Sequence, residues 1–360
     1  MTPNPRNRAL AELGQSIWVD NITRAMLDDG TLERYIDDYS VTGLTSNPTI
    51  FDKAISSGED YTAQIVELAG AGELPEAIFF DLALDDLGRA ADLFMPTHER
   101  TDGVDGWVSL EVSPLLADDA EATVAQAVEL HARAARDNLL IKIPGTEAGL
   151  AAIEEATFRG IPVNVTLLFS KAHYLAQADA WMTGIERRIE AGLDPVVGSV
   201  ASLFISRWDA AVIDEVPDAL RARLGIAIGG EVYAAYRELL DSDRAGRIRD
   251  AGGRIQKLLM ASTGTKDPEA SDVLYVEGLA APDTVNTMPE ATLLAFADHG
   301  EAPAPLPADG GESGEVLAAY REDGFDLNAL GVRLQEEGKQ AFADSWDGLI
   351  DSISGRLQTV

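Results

Sequence analysis

Short apolar runs alternate with longer amphipathic stretches along most of the chain, and this alternation constrains the fold more than any other feature of the sequence. Strand-like runs separated by helical patterns are the signature of a mainly parallel sheet covered by helices. The runs read as strands are 16–20, 41–46, 107–112, 139–143, 161–168, 198–205, 255–261 and 272–276. Between them, 74–94, 117–136, 170–191, 207–224 and 231–250 carry apolar residues at the three- and four-residue spacing of amphipathic helices. Asp118 and Asp119 stand where negative charge favours a helix start. Eight strands with intervening helices match the count of a (β/α)8 barrel, a TIM-type α/β fold whose active sites lie at the C-terminal strand ends. A doubly wound sheet is the alternative. The Pro-, Gly- and Ala-rich segment 300–314 reads as a surface loop before closing helices that fill 315–360, at about 313–320 and 327–353. No linker divides the chain, so 1–360 is expected to form one domain with extra helices at its C-terminus.

Composition narrows the function. The formal net charge of −33 repels nucleic acid and anionic membranes at long range, so neither is expected as a partner, and an anionic substrate would need a local cationic pocket. No apolar segment approaches the roughly 20 residues needed to span a bilayer, and the polar N-terminus has no secretory pattern, so a cytoplasmic location is expected. The absence of cysteine removes disulfides and thiolate chemistry without indicating the compartment. His98, His131, His173 and His299 are isolated, which speaks against a histidine metal site but leaves an oxygen-ligand Mg2+ site open. No Gly-rich nucleotide loop and no Gly-x-Ser-x-Gly elbow is present.

The chemistry is carried by polar residues inside apolar strands. Lys142 lies in Leu-Leu-Ile-Lys-Ile-Pro-Gly-Thr. Burial disfavours an ammonium, and the neutral amine is the form that attacks a ketone carbonyl. The competing reading is a lysine that snorkels or pairs with a carboxylate. In Trp-Val-Ser-Leu-Glu-Val-Ser-Pro the strand period puts Ser109, Glu111 and Ser113 on one face. There Glu111 is either a functional carboxylate or a structural partner of Lys142. Asn164 and Thr166 share a face of the fifth run, as substrate or water contacts or as hydrogen-bonded barrel filling. Asp20 and Asn47 end the first two runs, where a helix cap and a turn residue are the plainer readings. Five successive strands each delivering one such group near the same end favour a site over five separate structural explanations. After the sixth and seventh runs come Ser202 and Arg207, then Ser262 and Lys266, hydroxyls and cations suited to phosphate. Arg207 could instead pair with Asp209 at the surface, and Lys266 could be solvated. Phe204, between Ser202 and Arg207, is either core or a substrate contact.

Trp-Val-Asp-Asn, Gly-Leu-Thr-Ser-Asn-Pro-Thr-Ile-Phe, Ser-Leu-Glu-Val, Ile-Lys-Ile-Pro-Gly-Thr and Val-Asn-Val-Thr-Leu-Leu-Phe resemble the transaldolases in order and spacing, over roughly residues 10–290. The longer bacterial type is resembled most, with Asp-Thr-Val-Asn-Thr-Met-Pro at 283–289. The resemblance implies a class I aldolase-like barrel without metal or cofactor. It would move a three-carbon dihydroxyacetone unit from sedoheptulose 7-phosphate or fructose 6-phosphate to glyceraldehyde 3-phosphate or erythrose 4-phosphate, in the non-oxidative pentose phosphate pathway. It implies Lys142 as the Schiff-base lysine, Glu111 and Thr166 as holders of a catalytic water, and Asp20 as the acid–base group. Asn47 and Asn164 would bind donor hydroxyls, while Ser202 and Arg207 would contact phosphate. The seventh-strand pattern departs from the family, because many members carry an arginine shortly after Ala-Ser where this chain has Thr263-Gly264-Thr265-Lys266. The second phosphate cation stays open, with Lys266 as candidate. A monomer or homodimer is expected. The rivals are a class I aldolase that releases free dihydroxyacetone and a non-catalytic sugar-phosphate-binding barrel.

Overall fold

Strands buried on both faces need a partner layer on each, and in the computed structural model, which describes residues 3–301 and 304–357, they find it by closing on themselves. The strands are β1 (Gln15–Asp20), β2 (Val41–Thr45), β3 (Val108–Glu111), β4 (Leu139–Pro144), β5 (Val163–Leu168), β6 (Ser199–Phe204), β7 (Lys257–Ala261) and β8 (Thr284–Met288). They pair in parallel in chain order, and β8 returns to β1, giving a (β/α)8 barrel. The helices before β3 are α1 (Pro5–Leu13), α2 (Arg24–Asp28), α3 (Thr31–Tyr39), α4 (Pro48–Ser57), α5 (Thr62–Gly70) and α6 (Pro75–Arg100). Those between β3 and β7 are α7 (Ala120–Ala134), α8 (Glu147–Phe158), α9 (Lys171–Glu190), α10 (Ser206–Val212), α11 (Leu224–Leu240) and α12 (Asp243–Asp250). Then come α13 (Leu274–Gly278), α14 (Glu290–His299), α15 (Ser313–Glu322) and α16 (Leu327–Leu357).

The period of two along each strand sorts the side chains. Ile17, Val19, Ile141, Val163, Val165 and Met260 pack outward against the helices, whereas Trp18, Leu140, Val200, Leu259 and Val285 belong to a second cluster that fills the barrel. Trp18 fits because β2 carries Gly43 opposite it: a Cβ there would lie 2.5 Å from the indole ring. The indole N–H donates to Asp105 at 2.8 Å, which satisfies the buried polar tip.

Seven expected strands lie within a few residues of their sequence limits, and the eighth is a correction. Residues 272–276 form no strand; Leu274–Gly278 is the short helix α13, and Thr284–Met288 closes the barrel. A five-residue apolar run does not separate a strand from a buried helical turn. In β8 the outward polar residues find partners on neighbouring elements: Thr284 Oγ1 accepts from Gln15 at 2.9 Å and Asn286 Oδ1 from Thr263 at 2.8 Å, while Asn286 Nδ2 has no partner among the described residues, so the strand closes the barrel with little apolar sequence. The helix expected over 207–224 stops at Val212, five residues before Pro217, which has no N–H to continue the ladder. The helix expected over 231–250 is two, because Ser242 caps a new start by accepting from Ala245 N–H. Asp119 caps α7 in the same way. Among the described residues of the loop 300–314 no regular element precedes Ser313; residues 302 and 303, and 358–360 of the closing helices, lie outside the described residues. No described helix is long and apolar enough to cross a membrane.

Candidate active site

The C-terminal strand ends open into a cavity of about 300 Å³ lined by Asp20, Thr45, Lys142, Thr166, Ser202, Phe204 and Thr287 from the barrel. Asn47, Thr49, Ile50 and Lys53 from the cap and first turns of α4, Arg207 from α10, Ser262 and Lys266 after β7, and Phe342 from α16 also line it. Strand register assembles the centre. Glu111 stands opposite Lys142, and Lys142 opposite Asn164.

Lys142 is 5% exposed. Its Nζ donates to the carbonyl of Ser46 at 2.9 Å and meets Glu111 Oε2 at 3.3 Å. The lysine does not snorkel: it is held at the cavity floor between one carbonyl and one carboxylate. Burial raises the Glu111 carboxyl above its usual range, against the opposing pull of the Lys142 ammonium, so this carboxylate holds a proton more readily than a solvated one. Glu111 Oε1 and Thr166 Oγ1 are buried with no hydrogen-bond partner among the described residues, although such groups are normally satisfied.

Asp20 ends β1 at the same mouth and accepts from Thr45 Oγ1 at 2.6 Å. A threonine hydroxyl has one proton, so Thr287, 2.7 Å from Thr45, is then the donor in that contact. Burial raises the Asp20 carboxyl, while Lys142, the Thr45 bond and Lys266 pull it down less strongly. Asp20 caps no helix; α2 is capped by Thr23. Asn47 does cap one: its side chain accepts from Ile50 N–H at 3.1 Å to start α4, and it also lines the cavity. Asn164 lies one layer deeper, donating to Ser109 Oγ at 3.1 Å and accepting from Ser202 Oγ at 2.7 Å. Asn164 and Glu111 therefore back the lining and do not form it.

Arg207 and Lys266 line the cavity from beyond the ends of β6 and β7. Arg207 stands at the start of α10 with its guanidinium carbon 5.0 Å from the centre of the Phe204 ring, and no ion pair involves it among the described residues. Desolvation lowers its affinity for a proton, but an arginine stays charged. Asp209 is not its partner; that buried carboxylate accepts from Leu224 and Gly225 N–H and from Tyr275. Ser262 holds a left-handed backbone (φ 56°), and its hydroxyl lies 2.9 Å from that of Ser206. Lys266 is exposed at the cavity edge. Sequence reasoning missed Thr45, Thr287, Lys53 and Phe342. The first two carry a strand-period signal, two residues from Gly43 and Val285, whereas Lys53 and Phe342 come from helices whose placement over the mouth no local pattern announces.

The family described as Transaldolase/Fructose-6-phosphate aldolase matches residues 17–353. A protein named Transaldolase from Mycolicibacterium smegmatis is 44% identical, covering 99% of this chain and 99% of its own. Proteins of the same name from Mycobacterium marinum and Mycobacterium tuberculosis (strain ATCC 25618 / H37Rv) are 42% and 43% identical, each covering 99% of this chain and 98% of their own.

Proposed function

The chain belongs to the transaldolase/fructose-6-phosphate aldolase family, its activity is that of a transaldolase, and on that premise we propose that Lys142 is the amine through which the three-carbon unit passes. The observation that carries the assignment is the buried Lys142 Nζ at the floor of a cavity it shares with Asp20, backed by Glu111 at 3.3 Å. Two carboxyl groups of raised proton affinity beside one amine are what imine chemistry requires.

Glu111 takes a proton from Lys142, and the neutral amine adds to the C2 carbonyl of the ketose phosphate. Loss of water gives an iminium, with Glu111 and a water held against Thr166 moving the protons. Asp20 takes the proton of the C4 hydroxyl, the C3–C4 bond breaks with its electrons flowing to the iminium nitrogen, and the aldose phosphate leaves. The remaining enamine attacks an incoming aldehyde, Asp20 returns the proton to the new hydroxyl, and water releases the ketose. No metal or other cofactor enters the cycle. Sedoheptulose 7-phosphate and fructose 6-phosphate are the donors, and erythrose 4-phosphate and glyceraldehyde 3-phosphate the acceptors. Asn47 contacts donor hydroxyls from the α4 side; Asn164 orients Ser202 from below. Phosphate is taken by Arg207 with Ser202 and Ser262, assisted by Lys266, beside the ring of Phe204. The chain acts in the cytoplasm as one barrel domain in the pentose phosphate pathway.

The test is the fate of the triose. Fructose 6-phosphate with erythrose 4-phosphate should give glyceraldehyde 3-phosphate with little free dihydroxyacetone, unchanged after prolonged chelation. Stoichiometric free dihydroxyacetone would make the enzyme an aldolase, and a chelator-sensitive rate would contradict the imine route.

A further inference from the structure

α16 crosses the mouth of the barrel, and one edge of it faces the site at the helical spacing 335, 338, 342. Gln335 pins this edge by donating to the carbonyls of Gly145 at 3.0 Å and Leu167 at 2.9 Å, next to the ends of β4 and β5. Leu167 has a left-handed backbone (φ 59°) beside a break in the β5–β6 register, so the strand end that carries Thr166 departs from regular strand geometry where the helix is anchored. Phe342 lies over the cavity, 5.9 Å from both the Lys142 ammonium and the Arg207 guanidinium, measured to its ring centre.

Between them is Gly338, buried in the interior of a helix and not among the glycines with positive φ. Backbone conformation therefore does not call for glycine there, and helix propensity argues against it. Space does call for it. A Cβ at 338 would stand 3.0 Å from Arg207 Nη1 and 3.0 Å from Leu167 Cδ2, both tighter than an ordinary van der Waals contact. The guanidinium is the movable end of a flexible side chain, so it would give way first.

We propose that Gly338 is a specificity-determining position: the missing side chain on α16 creates the room in which Arg207 is held against Phe204 and Phe342, and thereby sets the preference for phosphorylated over unphosphorylated aldehydes. This rests on the assignment of Arg207 to phosphate. The same chemistry makes Gly338 a positioning residue, since it acts only through Arg207.

The experiment compares Gly338→Ala, Arg207→Ala and the double variant, with glyceraldehyde 3-phosphate and glyceraldehyde as acceptors and inorganic phosphate as a competitive inhibitor. Gly338→Ala should raise both the KM for glyceraldehyde 3-phosphate and the inhibition constant for phosphate by roughly 5–10-fold. The KM for glyceraldehyde should stay within about twofold, and in the Arg207→Ala background the substitution should add nothing. The melting temperature should hold or rise, because alanine is the better helix former. A fall of several degrees would mean that packed Leu167 takes up the clash and the proposal is wrong. Equal losses on both acceptors, no loss, or additive effects in the double variant would also overturn it. If Arg207→Ala itself leaves phosphate discrimination intact, the phosphate assignment falls and this inference with it; an effective Arg207→Ala with an inert Gly338→Ala sinks this inference alone.

Discussion

Glu111→Gln separates a proton-transfer role from a structural one. The amide keeps the shape of the side chain, and its oxygen can still accept from Lys142 Nζ, which sits 3.3 Å from Glu111 Oε2 and retains the Ser46 carbonyl at 2.9 Å. A group that relays protons is worth about 10²–10⁴ in rate, so kcat should fall by that factor. A structural ion pair behaves differently, because removing one partner of a buried pair costs about 3–5 kcal/mol. Here burial already makes the Glu111 charge unfavourable, so a neutral replacement removes a desolvation cost along with the attraction to Lys142. The stability change should stay within about 1 kcal/mol. At roughly 2–4 °C per kcal/mol for domains of 150–250 residues, and less for this longer chain, the two readings differ by several degrees in melting temperature. Steady-state transfer from fructose 6-phosphate to erythrose 4-phosphate, with thermal unfolding of the same sample, measures both quantities. A kcat within a few-fold of the parent, or a melting loss matching 3–5 kcal/mol, would refute the assignment.

Asp20→Asn should lower kcat while raising stability near neutral pH. The folded state holds the Asp20 proton above the ordinary value of 3.8, so between 3.8 and the raised value it binds more protons than the unfolded chain. Stability from this group therefore falls as pH rises through that window, and the advantage of asparagine should fade as pH drops toward 3.8; a variant less stable than the parent at neutral pH would contradict this. Arg207→Ala should raise KM for phosphorylated substrates by about 10–100-fold, as expected for lost charge-assisted bonds of roughly 1.5–3 kcal/mol, and leave glyceraldehyde nearly unaffected. Lys266→Ala should act in the same direction but more weakly, because Lys266 is exposed and offers only a point charge; equal losses on both acceptors would assign these residues to the fold.

The barrel was legible where a strand had to be apolar on its outer face, as in Leu-Leu-Ile-Lys-Ile, because burial between helices and barrel interior leaves a continuous run with one exception facing inward. β8 was obscured because Thr284 and Asn286 face outward, where they accept hydrogen bonds from Gln15 and Thr263, pairings across the chain that no local pattern contains. The polar centre was legible for the same reason that β4 was: Lys142, Glu111 and Thr166 contradict their surroundings. Asn47 shows that the structural and functional readings of a residue need not exclude each other, since it caps α4 and lines the cavity at once. The roof was not legible. Phe342 and Gly338 belong to a helix whose periodicity announces only that one face is buried, and the choice of the barrel mouth as its resting place depends on contacts such as Gln335 with Gly145 and Leu167, made across more than 160 residues of chain.

The imine proposed at Lys142 is a covalent bond, and trapping detects it. Reduction with borohydride in the presence of fructose 6-phosphate converts an imine into a stable amine, which peptide mass spectrometry then locates. One three-carbon adduct is expected on the peptide that contains Lys142, and none in Lys142→Ala, which should fold and yet lose turnover by several orders of magnitude. An adduct on another lysine, or a catalytically active enzyme that traps nothing, would contradict it.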